Sequence, residues 1–188
     1  MPILSQTLQI VIMLGVAAAV HAADDADACR SALPDSLVAA AARQFPDYRA
    51  PLAADNAPED VAFNVKQGHS GCLGVASADL DGDGVADYVL GLAPLQGPRP
   101  LAVIALARGA QWVFHAIESE VGTRARLYVD VVPPGRYDRN EALGPPHAAD
   151  DQVQLSCAWS GAVVGATRAT GIVYCLVRGN WRRVAVAG

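Results

Sequence analysis

The chain has 188 residues, of which 52% are hydrophobic, and its 19 acidic and 14 basic residues give a formal net charge of −5 at pH 7. The basic residues are scattered along the chain. This distribution excludes the clustered positive charge that binding to nucleic acid or to an anionic membrane surface requires. The length allows one domain with a single core and is too short for two ordinary domains.

The N-terminal residues have the pattern of a targeting segment. A strongly apolar stretch covers residues 8–20 and ends in Val20-His21-Ala22, with small residues where signal peptidase cleaves. The stretch is short for a membrane span, and strongly acidic residues follow it at once. We therefore predict a signal peptide over residues 1–22 and one exported domain over residues 23–188, periplasmic or secreted, with no stable membrane anchor after cleavage.

Four cysteines follow the predicted cleavage point: Cys29, Cys72, Cys157 and Cys175. An even number in an exported chain favours two disulfides, and no pair has the CxxC spacing of zinc or redox sites. Three connectivities are open. We favour Cys29 with Cys72 and Cys157 with Cys175, because the second pair is expected on opposed strands of one hairpin.

One helix is predicted near the start of the exported domain, over residues 34–45. Leu37, Ala41 and Phe45 lie one turn apart on one face, Pro34 suits the first turn, and Pro46 ends the helix.

The rest of the chain has short β-type runs separated by Gly, Pro and Asp. The predicted strands are residues 73–78, 88–92, 101–107, 112–118, 124–132, 152–159, 172–178 and 181–187. Tight connections at residues 108–111 and 179–180 each predict an antiparallel hairpin. The predicted fold is mainly β, with antiparallel sheets arranged as a sandwich or as partial propeller-like blades, and with one N-terminal helix.

Residues 133–151 have four prolines, two glycines and no apolar periodicity. Such a long irregular segment is either a binding loop or a flexible insertion, and both interpretations are open. It offers mixed charge and an aromatic side chain for contact with a partner. The candidate partner-binding residues are Arg136, Tyr137, Arg139 and Glu141.

The strongest chemical signal is the sequence DLDGDGVAD at residues 79–87. Calcium takes six to eight oxygen ligands, which alternating carboxylates supply while the chain curls around the ion, and Gly84 lies where the backbone turns sharply. The predicted ligands are Asp79, Asp81, Asp83, the carbonyl of Val85 and Asp87. Leu90 stands where an EF-hand has its closing Glu, so the loop is not an EF-hand.

The sequence DLDGDGVADYVLGL at residues 79–92 resembles an FG-GAP or VCBS-type repeat. That resemblance implies a calcium loop that joins two strands of a propeller-like blade. Because calcium is abundant outside the cytoplasm, we expect the ion to act as a structural staple and not as a sensor. The chain has one copy of the motif, so a complete propeller is not expected. It also resembles small exported bacterial proteins with a leading helix and one such loop, among them a few periplasmic inhibitors of lytic enzymes.

Other chemical signals are weaker. The sequence GHSGC at residues 68–72 lacks the final Gly of a hydrolase elbow, and His69, His115 and His147 have no zinc-site spacing. Trp112, Trp159 and Trp181 suit core packing at least as well as a carbohydrate platform.

We therefore predict a calcium-stabilised module, not an enzyme, that binds another protein, in its sharpest form as an inhibitor or immunity protein against a periplasmic lytic enzyme. The alternatives are a structural envelope protein and a hydrolase that uses Ser70 or His69.

Overall fold

The computed structural model describes residues 27–117, 126–144, 146, 150–167 and 169–186. The predicted signal peptide and its cleavage site lie outside these residues, as do His147 and the ends of three predicted strands at residues 118, 124–125 and 187. The described helices are α1 (Ala28–Ser31), α2 (Asp35–Gln44) and α3 (Pro58–Lys66), with 3-10 helices at Ala53–Asp55 and Glu141–Leu143.

The predicted mainly β fold is confirmed, and all pairings between the described strands are antiparallel. The strands are β1 (Tyr48–Arg49), β2 (Val75–Ala78), β3 (Asp87–Pro94), β4 (Leu101–Arg108), β5 (Gln111–Ile117), β6 (Leu127–Val132), β7 (Gly135–Asp138), β8 (Gln154–Cys157), β9 (Gly161–Ala166), β10 (Gly171–Val177) and β11 (Asn180–Val186).

These strands form two main sheets and a separate hairpin. The first sheet has the order β1-β3-β4-β5, with β2 also paired to β3. The second sheet has the order β11-β10-β9-β6, and β7 pairs with β8 in a two-stranded hairpin. The backbone N–H of Val129 in β6 donates to the carbonyl of Leu73, 2.8 Å away, and so joins the second sheet to the segment before β2.

The main core lies between the two sheets. It contains Leu80, Val89, Ala102, Ile104, Leu106, Ile117, Leu127, Val129, Ala162, Val164 and Tyr174. The alternate residues of β3 and β4 face outwards, where they pack with Leu33 and Leu37 in a second cluster beside α2. Because β4 is buried on both faces, its sequence is an almost continuous apolar run and not an alternating one.

The β7–β8 hairpin covers the outer face of the second sheet. Leu155 and Cys157 of β8 pack there with residues of β9, β10 and β11. Disulfides join Cys29 to Cys72 and Cys157 to Cys175, with Cα–Cα distances of 4.9 and 5.3 Å. The favoured pairing is confirmed, but its reason was wrong for the second pair: β10 pairs with β9 and β11, and Cys157 reaches it from the covering hairpin.

Besides the short elements α1 and β1, which were not predicted, three parts of the fold differ from the sequence prediction. Residues 133–151, expected to be irregular, contain β7, whose backbone pairs with β8 without needing apolar periodicity. Strand β9 was missed because its sequence, GAVVGA, has small residues where bulk is excluded: a Cβ on Gly165 would lie 2.6 Å from the Tyr128 ring. Helix α2 is as predicted, whereas α3 was missed because it has no buried residue to set a periodic pattern.

Candidate metal centre

The acidic loop connects two neighbouring strands of the first sheet. Strand β2 ends at Ala78, β3 begins at Asp87, and these two residues are paired across the strands. Between them Leu80 is 0% exposed and belongs to the core between the sheets. The core therefore holds the second residue of the loop, and the alternating carboxylates are positioned around this anchor.

Three loop carboxylates converge. One ligand oxygen each from Asp79, Asp81 and Asp87 lies within 4.8 Å of the other two. Two oxygens bound to one calcium ion at about 2.3 to 2.6 Å are at most about 5.2 Å apart, so the cluster has dimensions that one such ion could bridge. The site has only oxygen donors, which is the ligand chemistry of hard cations.

Asp79 organises the turn of the loop. Its two carboxylate oxygens accept the backbone N–H groups of Gly82, at 2.6 Å, and Gly84, at 3.0 Å. Both glycines have positive φ angles, +83° and +80°, which let the chain curl around the carboxylate. Desolvation raises the pKa of Asp79, but the hydrogen bonds from the loop backbone outweigh it and lower that pKa below its usual value.

Asp87 lies underneath the loop and is 0% exposed. Its carboxylate accepts the backbone N–H groups of Leu80, at 2.9 Å, and of Ala107 in β4, at 2.8 Å. Burial raises the pKa of Asp87, the two N–H donors oppose this change, and the nearby charges of Asp81 and Asp83 add to it. The carboxylate is therefore held in place by the backbone, and no side chain among the described residues forms an ion pair with it.

Arg108, the last residue of β4, contacts the open side of the loop. Its guanidinium donates to Asp81 and, at 3.3 Å, to Asp83. The hydrogen bond with Asp81 is the main reason that the pKa of Arg108 is raised. The other oxygen of Asp83 accepts the N–H of Val85 at 2.8 Å. Asp83, predicted as a ligand, is thus not one of the three converging carboxylates in this structure.

Arg108 is the residue of this site that sequence reasoning missed. It lies 27 residues from Asp81, and only the pairing of β3 with β4 brings the two together. Its one sequence signal is its position beside the predicted 108–111 turn. Four carboxylates against one guanidinium leave three negative charges in the loop without a side-chain counter-ion.

The four candidate partner-binding residues fall in two different environments. Arg136 and Glu141 are exposed, whereas Tyr137 is half-buried and donates its hydroxyl to the carbonyl of Pro133. Arg139 differs from the other two charged residues: only 6% of its side chain is exposed, and it forms an ion pair with Asp151 at 2.9 Å. Its guanidinium ties the residue that follows β7 to the segment that precedes β8.

The residues considered for hydrolysis lie on the surface. His69 and Ser70 are exposed in the turn after α3. The Ser70 hydroxyl oxygen accepts the N–H of Cys72 at 3.3 Å, and no described histidine donates to it or accepts from it. Trp159 is 47% exposed and covers Gly82 of the acidic loop, whereas Trp181 packs at the edge of the main core.

None of the helices in the described ranges is long and apolar enough to cross a membrane. A comparison of the chain with models of protein families, with curated proteins and with solved structures finds no match.

Proposed function

We propose that the protein is an exported binding module whose acidic loop holds one calcium ion as a structural staple. The convergence of Asp79, Asp81 and Asp87 within 4.8 Å, next to uncompensated charge, is the observation that carries this proposal. Asp83 and the carbonyl of Val85 complete the proposed ligand set, as the spacing of the loop predicts. Calcium is favoured because it accepts many oxygen ligands and needs no nitrogen or sulfur donor.

A structural calcium ion suits the position of the acidic loop in the fold. Bound calcium supplies positive charge to four carboxylates and ties the loop, through Leu80 and Asp87, to the core and to β4. An ion that binds only the folded state stabilises it by mass action, by about 2.7 kcal/mol when its free concentration is 100 times Kd. The site therefore contributes to stability wherever calcium is abundant, as it is outside the cytoplasm.

Thermal unfolding of the oxidised protein tests this proposal. We expect excess calcium to raise the midpoint of the parent protein over that in chelator, and to leave Asp81→Asn unchanged. Asp47→Asn removes one exposed carboxylate far from the loop in sequence and serves as the matched control. If the parent and Asp81→Asn melt alike under both conditions, the loop does not bind calcium.

The second part of the proposal is that the module binds another protein, with a periplasmic lytic enzyme as the specific candidate. Two disulfides support a location outside the reducing cytoplasm, in the periplasm or secreted. Arg136 has a side chain 64% exposed, and Glu141 is exposed at the start of its 3-10 helix, so both offer charge to a partner.

Binding and inhibition assays with purified lysozymes and amidases test this second part. We expect Arg136→Ala and Glu141→Ala to weaken binding while the unfolding midpoint stays that of the parent. A protein that neither binds nor inhibits any of these enzymes would favour the structural envelope role instead. A hydrolytic activity that Ser70→Ala removes would favour the enzyme.

A further inference from the structure

Strand β5 forms an edge of the first sheet, because among the described strands it pairs only with β4. Ala107 of β4 lies opposite Trp112 and donates its N–H to Asp87 of β3, on the other side of β4. Main-chain groups alternate in direction along an antiparallel strand, so the N–H and C=O groups of Trp112, Phe114 and Ala116 point away from β4. Within the part of the chain that the structure describes, these groups have no hydrogen bond. This side of β5 is therefore an open sheet edge.

The sequence of this edge lacks the features that usually prevent strands from pairing. β5 reads QWVFHAI, without Asp, Glu, Lys, Arg, Pro or Gly. Val113 is 45% exposed, and Gln111, His115 and Ala116 are also exposed. Natural proteins protect long edge strands with lysine, proline, a bulge or a covering segment, because an open edge pairs with a strand that reaches it. An uncharged edge rich in β-forming residues is therefore expected to be covered in the working protein.

Two other sheet edges are protected. Segments from elsewhere in the chain cover the outer side of β11, where the N–H of Gln152 donates to the carbonyl of Arg183 at 2.8 Å. The N–H of Asn140 donates in the same way to the carbonyl of Ala185, at 2.9 Å. Strand β1, at the opposite edge of the first sheet, has only two residues. The long, uncharged and open edge of β5 differs from both.

A second copy of β5 satisfies this edge. We propose that two molecules pair through β5, antiparallel and around a two-fold axis at Phe114. In this register Phe114 lies opposite the second copy's Phe114, and Trp112 lies opposite the second copy's Ala116. The outward N–H and C=O groups of Trp112, Phe114 and Ala116 then all have partners in the other strand, and the two first sheets become one continuous sheet.

The side chains of β5 favour a copy of the same strand. At a two-fold axis a residue meets its own copy or a close neighbour of it, so a charged side chain there would repel itself. The chain has a net charge of −5, yet β5 has no acidic or basic residue. The register also places the large Trp112 side chain opposite the small Ala116 and pairs two Phe114 rings, which is a favourable cross-strand contact. The proposal does not depend on calcium binding.

Sedimentation equilibrium of the oxidised protein tests this pairing. We expect dimers at about 100 μM protein and monomers on dilution. Ala116→Pro removes an outward N–H but keeps the hydrogen bonds to β4, as proline does when it is tolerated on an edge strand. By symmetry it removes two hydrogen bonds from the dimer, so we expect the dissociation constant to rise at least about tenfold.

A pair of charge variants tests whether the partner is a second copy. Val113 lies opposite the second copy's His115, and both residues are exposed, so substitutions there should not prevent folding. The double variant Val113→Glu with His115→Glu sets carboxylates against carboxylates, and Val113→Lys with His115→Lys sets ammonium groups against each other. We expect each double variant to be monomeric at a concentration where the parent is dimeric. Their equimolar mixture should form dimers, because each cross-strand pair then joins opposite charges.

Three outcomes would overturn the proposal. The first is a parent protein that stays monomeric at about 1 mM, which would leave the edge to a strand of a different protein. The second is dimerisation that neither Ala116→Pro nor the charge variants weaken, which would place the interface elsewhere. The third is amide hydrogen exchange at Trp112, Phe114 and Ala116 that does not slow when the concentration rises from the monomer range to the dimer range.

Discussion

Buried carboxylates are held in two different ways in this protein. Beside the β7–β8 hairpin, Arg139 Nη1 donates to both oxygens of Asp151, at 3.0 and 2.9 Å, and the two side chains are only 6% and 8% exposed. In the acidic loop, Asp87 is completely buried, and among the described residues its carboxylate accepts hydrogen bonds from backbone N–H groups only. The first arrangement balances a charge with a charge, and the second fixes a carboxylate without balancing it.

This difference distinguishes carboxylates that only stabilise the fold from carboxylates that could bind a ligand. A second ion pair, between Arg49 and Asp55 at 2.6 Å, repeats the balanced arrangement at the 3-10 helix Ala53–Asp55. Both pairs are electrically complete and need nothing from solution. The loop has converging oxygens and surplus negative charge, so an external cation is what would complete it. Uncompensated buried charge is therefore a better sign of a binding site here than burial alone.

Breaking the balanced pair should have the largest effect. Arg139→Met keeps much of the side-chain volume but leaves the Asp151 carboxylate buried without its guanidinium, and we expect a loss of about 3 to 5 kcal/mol in the free energy of unfolding. Chemical denaturation measures this loss.

The double variant Arg139→Met with Asp151→Leu is the control, because it removes both charges together. We expect it to regain most of the stability, since a well-packed apolar pair often replaces a buried ion pair at little cost. A single variant that loses less than about 1 kcal/mol, the value typical of an exposed pair, would show that the pair is not buried as the structure has it.

The same contrast explains what the sequence could predict. The acidic loop and helix α2 depend on residues a few positions apart, and both were located from spacing alone. Helix α3 was missed because Phe63 and Val65 are 61% and 54% exposed, which removes the buried face that periodicity detects.

Features made by distant residues were not predictable. In the sequence, Arg108 and Arg139 have no feature that distinguishes them from surface residues. Strand pairing brings Arg108 to Asp81, and the pairing of β7 with β8 brings Arg139 to Asp151. In each case the chemistry is set by the partner, and the partner is more than ten residues away in sequence.

The next prediction concerns the two loop glycines. Gly82 and Gly84 have nearly the same φ, but a Cβ on Gly82 would lie 2.2 Å from the Trp159 ring, whereas one on Gly84 would have nothing within 4 Å. Gly84→Ala should cost about 1 to 2 kcal/mol for the left-handed backbone alone. Gly82→Ala should cost about 1 to 3 kcal/mol more, because the added methyl group clashes with the indole.

A background variant separates the two causes. With Trp159→Ala, Gly82→Ala should lose only as much stability as Gly84→Ala does, because the backbone strain stays and the clash is gone. Chemical denaturation of the four variants in chelator, so that calcium does not contribute, gives these differences. Equal losses for both glycines in the parent background would mean that Trp159 does not pack on the loop.

The smallest expected effect tests whether Arg108 stands in for a cation. Its guanidinium is 41% exposed, so Arg108→Gln should lower the unfolding free energy in chelator by less than about 1 kcal/mol. In excess calcium the sign of its influence should reverse. Arg108 engages Asp81, which the ion would also use, so its removal should tighten calcium binding and enlarge the calcium-induced rise of the midpoint.

Arg30→Gln is the matched control, because Arg30 pairs with Asp35 at 2.5 Å on the surface, away from the loop. It should leave the calcium-induced rise at the parental value. If Arg108→Gln does the same, Arg108 is an ordinary surface ion pair and does not compete with the cation. If the rise is larger for Arg108→Gln alone, the acidic loop differs from the Arg139–Asp151 pair in the way proposed. Arg108 then neutralises the loop carboxylates only partly, and calcium displaces its guanidinium from Asp81.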